Sequence, residues 1–282
     1  MLAIITGAYG GLGRALSECF WEAGYNLMLV GRNESELESL KDSLHARARQ
    51  ECKIGICDLG QASVVRDFLA SQISTLDRID VLINNAAVHG EIGLSWETDL
   101  EELHNVLQVN FLAPVAFCRA VIPVMISANR GSIINLSGGG ATSPRPMFSA
   151  YASSKSALIR FSETVAEEVD SYKIKINCVS PGAMPTKLLA EVIRQGSDVS
   201  GIKEFETAKK VFSQVGSSTE RVEKLALFLA ARDSDGITGK TISAVWDSWD
   251  SWPDNIAELS STDVYTLRRI AGRDRNMSWG DK

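Results

Sequence analysis

Seven short apolar runs, almost free of charge, alternate with longer amphipathic stretches along this chain, and no other feature restricts its fold as much. The runs fall at 2–6, 26–30, 52–57, 80–84, 131–136, 174–179 and 241–245. Strands without a polar face are strands buried on both sides, the condition of a parallel sheet covered by helices. Between them, 11–23, 34–48, 61–75, 99–127, 151–169 and 219–231 carry helical spacing of apolar residues. Alternation of this kind calls for right-handed crossovers, so the sequence predicts an α/β fold, a doubly wound parallel sheet in three layers. Two segments leave the rhythm. One is a connection at 181–218, long enough to be a functional lid or loop. The other starts at Trp246, so the expected organisation is one domain at 1–245 and a C-terminal extension at 246–282.

Charge and thiols narrow the function classes. The chain holds 29 Lys+Arg against 35 Asp+Glu, a net charge of −6, with no basic block. That balance argues against a nucleic-acid or anionic-membrane partner. Five scattered cysteines, an odd count without metal spacing, read as free thiols in a reducing compartment. No metal site is expected. Met1 runs directly into a strand-like segment and no apolar run approaches 18 residues, so a cytoplasmic protein without a membrane span is expected.

The first strand runs into Thr6-Gly7-Ala8-Tyr9-Gly10-Gly11-Leu12-Gly13, and a helical pattern follows at once. Glycines there permit a tight turn and let backbone N–H groups approach a pyrophosphate, while the helix N-terminus adds partial positive charge. The placement between strand one and helix one points to a Rossmann-type dinucleotide site with Thr6, Gly7, Gly11, Leu12 and Gly13 around the cofactor. The second strand ends at Gly31-Arg32, where an acidic residue would read a ribose 2′-hydroxyl. Arg32 can instead pair with a 2′-phosphate, which favours NADP over NAD. Asp58 and Asn84-Asn85-Ala86-Ala87 close strands three and four at the edge where such sheets bind ligands.

Tyr151 and Lys155 are four residues apart at the start of the helix after strand five, so phenol and ammonium share one helix face. A nearby cation favours phenolate, which makes a tyrosine with an ordinary pKa near 10 a usable acid or base. Pro114 has no N–H for the carbonyl of Asn110, so a break is expected there, leaving an acceptor free for water.

The motifs T-G-A-Y-G-G-L-G at 6–13, N-N-A-A at 84–87, V-N-F-L at 109–112, Y-A-S-S-K at 151–155 and S-P-G-A-M-P-T at 180–186 resemble the short-chain dehydrogenase/reductase family over about residues 2–245. The resemblance implies an oxidoreductase that moves a hydride between nicotinamide and a secondary alcohol or ketone. In that family's terms Tyr151 is the proton donor or acceptor, while Lys155 lowers its pKa and holds the nicotinamide ribose. Asn110 anchors a relay water, Asn84 and Ala86 line the cofactor, and Pro181, Gly182 and Thr186 reach the carboxamide side. It also implies a homodimer or homotetramer built on the helices at 99–127 and 151–169.

One position departs from the pattern. The family's carbonyl-polarising serine stands 13 residues before the tyrosine, and here that residue is Gly138. Ser137 is one residue early, on the opposite side of a regular strand. It is the fourth candidate catalytic residue if Gly138-Gly139-Gly140 turn it inward, with Thr142 or Ser143 as substitutes. Without a replacement, stabilisation of roughly 3 kcal/mol is missing, and the alternative is a weakened nucleotide-binding sensor or assembly subunit.

The glycine run with Pro144-Arg145-Pro146 is similar to a subgroup found in bacterial surface-polysaccharide biosynthesis, which suggests a sugar or nucleotide-sugar substrate. Tail residues Trp246, Trp249 and Trp252, interleaved with carboxylates, could stack on sugar rings or bury themselves in a subunit interface. Arg268, Arg269, Arg273 and Arg275 form a basic cluster that could meet a phosphate or carboxylate or simply face solvent.

Overall fold

The computed structural model describes residues 1–45, 49–213, 219–277 and 279. Among these, seven strands form one parallel sheet: β1 (Leu2–Thr6), β2 (Asn26–Gly31), β3 (Cys52–Ile56), β4 (Val81–Asn84), β5 (Gly131–Leu136), β6 (Ile174–Ser180) and β7 (Thr241–Ser243). Their order is β3-β2-β1-β4-β5-β6-β7, so the winding reverses between β1 and β4. The helices are α1 (Gly11–Glu22), α2 (Glu34–Ser43), α3 (Ala62–Phe68), α4 (Leu100–Leu107), α5 (Ala113–Ser127), α6 (Ser149–Glu168), α7 (Lys187–Gln195), α8 (Ser197–Ser200), α9 (Ile202–Ser213), α10 (Glu220–Ala230) and α11 (Ile256–Ser261).

Alternation along the strands builds two cores. Ala3 and Ile5 of β1 face Leu16 and Phe20 of α1, Leu37 of α2 and Leu225 of α10. Ile4, between them, faces the layer of Phe68 in α3 and Phe117 and Val121 in α5. Both sheet faces are therefore apolar, which is why the strands read as unbroken runs.

The helix expected at 99–127 is α4 and α5 joined by a π turn over Gln108–Leu112. Pro114 lies in the first turn of α5, where a missing N–H is tolerated, and the break falls at Asn110. The stretch Leu100–Ser127 is long and apolar enough by composition to cross a membrane, although scattered polar residues break its apolar run. Its inward side, from Val106 through Phe117 to Met125, is buried, as in the core helix of a globular domain. The helix expected at 34–48 ends at Ser43, with 46–48 outside the described residues. The stretch at 61–75 becomes α3 followed by a second π turn, Leu69–Ile73. The connection at 181–218 folds into α7, α8 and α9, with 214–218 outside the described residues.

The tail is packed onto the same domain. Trp249, Trp252 and Leu259 belong to the α1–α10 core, with Trp249 against Phe228 at 5.5 Å and Trp252 against Tyr265 at 4.4 Å. These two rings are therefore not free to stack on a ligand, whereas Trp246 is 86% exposed. Beyond α11 the chain returns along the outer edge of β7, where the Thr241 N–H donates to the Tyr265 carbonyl at 2.7 Å. Lys240 donates to the carbonyls of Thr262 and Val264. Buried Glu163 of α6 accepts from the Leu267 N–H and pairs with Arg160 and Arg268. Of the tail's arginines, Arg268 thus ties the extension to α6. Replacing a buried tryptophan by alanine removes about 3–5 kcal/mol. Trp252→Ala is expected to lower the melting temperature by roughly 6–15 °C, and Trp246→Ala to leave it unchanged; thermal denaturation of the two variants checks this.

Candidate active site

The glycine turn meets the end of β4 with no space to spare. A methyl group on Gly7, where φ is +63°, would come within 2.8 Å of the Ala86 Cα, and one on Gly13 within 2.1 Å of the Gly7 carbonyl oxygen. A methyl on Gly11 meets nothing within 4 Å. Gly10 caps α1 without a side-chain bond, so the first N–H groups of this 12-residue helix face an open side. Glycine is needed at 7 and 13 to pack the turn, while Gly11 leaves the approach to the helix end clear. That is the shape a dinucleotide pyrophosphate needs.

Several residues expected at the cofactor have other duties. The Thr6 hydroxyl is buried and accepts from the N–H groups of Asn85 and Ala86, bracing β1 against β4. Leu12 turns its side chain into the core, leaving only its backbone toward the turn. Asn84 is also turned inward, donating to the Asn135 Oδ1 at 2.8 Å, so its side chain does not line the groove. Its neighbour Asn85 instead donates to the carbonyls of Thr6 and Gly7 and fixes the turn. Asp58 accepts from the Gly60 N–H and from Gln61, closing the turn after β3. Thr186 caps α7 through the Leu189 N–H. Pro181 is half-buried, and exposed Gly182 has φ of +81° with Val245 packed against it. Arg32 is exposed at the end of β2 with no ion pair among the described residues. Beside it, the Tyr9 ring lies so close to Gly31 that a methyl there would meet it at 2.5 Å.

On the β5 side, α6 presents Tyr151 and Lys155 on one face, both buried, the phenol 6% and the ammonium 1% exposed. The Lys155 Nζ lies 5.9 Å from the Tyr151 ring centre and donates to the Leu136 carbonyl at 2.7 Å. Asn110, carried by the π turn, accepts from the Val88 N–H and donates to the Val88 carbonyl, each at 2.9 Å, and also donates to Ser154. Ser154 donates in turn to the Tyr151 carbonyl. The loop after β4 and the start of α6 are thereby held together through one asparagine.

α7 and α9 cover this centre: Leu189, Val192 and Ala208 pack with Ile92, Phe148 and Tyr151. Arg145 stacks on Phe148 at 3.8 Å, lies 5.7 Å from the Tyr151 ring centre and pairs with Glu204 of α9 at 2.7 Å. Burial pushes the Tyr151 phenol above its ordinary 10, and the cation that opposes this is Arg145. Lys155 was expected in that part, but its buried ammonium has turned to the nearest carbonyl.

A tyrosine and a lysine one turn apart, at the carboxyl edge of a sheet with an open helix N-terminus, invite comparison with known proteins. The family model for short chain dehydrogenase matches residues 1–196. This chain belongs to the short chain dehydrogenase family. It is 30% identical over 242 residues to the 3-oxoacyl-acyl-carrier-protein reductase FabG of Chlamydia muridarum, covering 86% of this chain and 94% of that protein. Dehydrogenase/reductase SDR family member 7B of Bos taurus is 30% identical over 214 residues, covering 74% of this chain and 65% of its own length. Among solved structures, NAD+-bound xylitol dehydrogenase superposes with a TM-score of 0.76 at 26% identity, over 86% of this chain and 96% of that one.

Against the family pattern, the structure locates the departure. A methyl on Gly138 would fall 2.2 Å from the Tyr151 hydroxyl, so the phenol occupies the room a serine side chain would fill. Gly138, not Ser137, meets this hydroxyl. Ser137 is buried, and its Oγ has no hydrogen-bond partner among the described residues. Thr142 and Ser143 are exposed, and neither replaces the serine. The other glycines make room for Arg145, whose Cβ would lie 2.9 Å from a methyl on Gly140. Spacing gave no sign of the Arg145–Glu204 pair or of His89, a buried ring 4.8 Å from Tyr151.

Lys155 offers a stability test. Burial holds its ammonium down to about 8 from an ordinary 10.5. The folded chain therefore binds fewer protons than the unfolded chain between those values, and stability rises with pH across the window. The depression corresponds to about 3 kcal/mol of destabilisation that is full below pH 8 and gone above pH 10.5. Lys155→Met removes it. The melting temperature of the variant relative to the parent is expected to fall as pH rises from 8 to 10.5, and a pH-independent difference would contradict the assignment.

Proposed function

We propose that this short-chain dehydrogenase is an NADP(H)-dependent oxidoreductase acting on a secondary alcohol or ketone, with Tyr151 as its acid and base. One arrangement carries the reading: the Tyr151 phenol stands over Lys155 beside the Asn110 turn, on the edge where α1 offers uncapped N–H groups. The N–H groups at Gly11, Leu12 and Gly13 would hold the pyrophosphate, and exposed Arg32 the 2′-phosphate. A nicotinamide dinucleotide, when bound, supplies the hydride for reduction or accepts it in oxidation.

In the reducing direction Tyr151 gives its hydroxyl proton to the substrate oxygen. Lys155 supports the phenolate that remains and holds the nicotinamide ribose. The Asn110 carbonyl, which Pro114 cannot bond, receives the relay water that restores the proton. Cover by α7 and α9 keeps bulk water from the phenol. Within this class a sugar or nucleotide-sugar substrate is the narrower proposal. It draws on the glycine run and Arg145 rather than on Trp249 and Trp252, which the core occupies. A second copy of the chain would pack on the helices at 99–127 and 151–169, where half-buried Phe111 and Phe161 meet edge-to-face at 6.3 Å. Five free thiols agree with a cytoplasmic setting.

Gly138 favours the competing reading, a nucleotide-binding sensor without turnover, and kinetics separate the two. Tyr151→Phe is expected to cut kcat for ketone reduction by about 10²–10⁴-fold while leaving the KM for NADPH unchanged. Tight NADPH binding with no turnover of any ketone or keto-sugar would establish the sensor. Loss of a charge-assisted bond removes about 1.5–3 kcal/mol, so Arg32→Ala is expected to raise the KM for NADPH tenfold or more. The KM for NADH should move less than twofold. Equal effects on both cofactors would refute the 2′-phosphate role.

A further inference from the structure

The position where the family pattern places a serine beside Tyr151 has no side chain here. Gly138 is that position, and Thr142 and Ser143 face solvent. One buried polar ring does stand at the phenol. His89 is 8% exposed and packs edge-to-face on Tyr151 at 4.8 Å and on Phe148 at 5.4 Å. Its Nδ1 is buried without a hydrogen-bond partner among the described residues.

An orphaned buried nitrogen is destabilising by about 1–3 kcal/mol, and a phenylalanine would fill the same aromatic niche without that penalty. The loop that carries the ring is also firmly placed. Asn110 grips both backbone groups of Val88, immediately before it. Gly90, immediately after, has φ of +70°, and a side chain there would run into Val106. Charged groups face the ring from three elements: Arg145 from the turn before α6, Lys155 from α6 and Glu191 from α7. Burial first, then Arg145, holds the imidazole down to about 4, so it stays neutral, with one donor and one acceptor, across the working range.

We propose that His89 is a catalytic residue of this site, hydrogen-bonding the substrate oxygen that Tyr151 protonates, in the part that Gly138 leaves unfilled. The proposal rests on the reductase reading, and the test separates the two. The chain has three histidines, and the other two, His45 and His104, are exposed, so imidazole 15N spectra resolve the ring directly. Saturating the NADP+ complex with cyclohexanol, methyl 3-hydroxybutyrate or glucose is expected to move the His89 signals for at least one alcohol and leave those of His45 and His104 in place. For the matching carbonyl compound, His89→Phe is expected to lower kcat about 10²-fold with an unchanged KM for NADPH. His89→Asn, which restores a donor, should recover part of the loss.

A packing role predicts the reverse: His89→Phe keeps kcat and melts at the same temperature or higher. That result, or His89 signals unmoved by every alcohol, overturns the proposal. A protein that turns over nothing while its His89 signals shift overturns the reductase reading instead, and the ligand contact stands.

Discussion

Two loops meet at the carboxyl ends of β1 and β4 with no room for a side chain between them, and the site is suspended from that contact. Gly7 lies against the Ala86 backbone, Thr6 receives two N–H groups from the β4 loop, and Asn85 returns two bonds to the glycine turn. Four neutral hydrogen bonds of about 1 kcal/mol each hold the junction where the winding reverses. The junction aims the N-terminus of α1 outward and carries the next residues, Val88 and His89, to Asn110 and Tyr151. Asn110 in turn passes the constraint to α6 through Ser154. Nucleotide end and acid–base end are parts of one braced edge.

The strand positions and the parallel, helix-covered sheet were legible because both sheet faces are covered, and a strand buried twice announces itself by lacking charge. The Tyr151–Lys155 pair was legible because a helix puts residues four apart on one face. Neither rule says where a side chain ends. Lys155 has the expected position but bonds to Leu136, since a buried ammonium takes the nearest acceptor. Asn84 and Asn85 look interchangeable in sequence, yet strand alternation turns one into the sheet and leaves the other on the glycine turn. Arg145–Glu204 spans 59 residues and His89–Tyr151 spans 62, and no periodicity connects positions so far apart.

The three glycines at 138–140 remove one function and permit another. Their missing side chains let the phenol sit deep against the end of β5 and let Arg145 lie flat over Phe148 toward α9. The phenol thus fills the place a serine side chain would take, and the cation stacked beside it, Arg145, lies toward α9. One ion pair ties the turn before α6 to α9, its side chains 12% and 26% exposed, a partial burial that strengthens the attraction relative to bulk water.

The strap beyond α11 has a consequence for the sheet as a whole. An open parallel sheet ends in two rows of unpaired backbone groups, and strand-by-strand polymerisation needs both. Here the row along β7 is engaged by the chain's own Tyr265 carbonyl, with Lys240 tying the same segment down. Only the β3 side stays available. Strand addition at β7 must therefore first displace this segment, whereas β3 has no strand beyond it among the described residues.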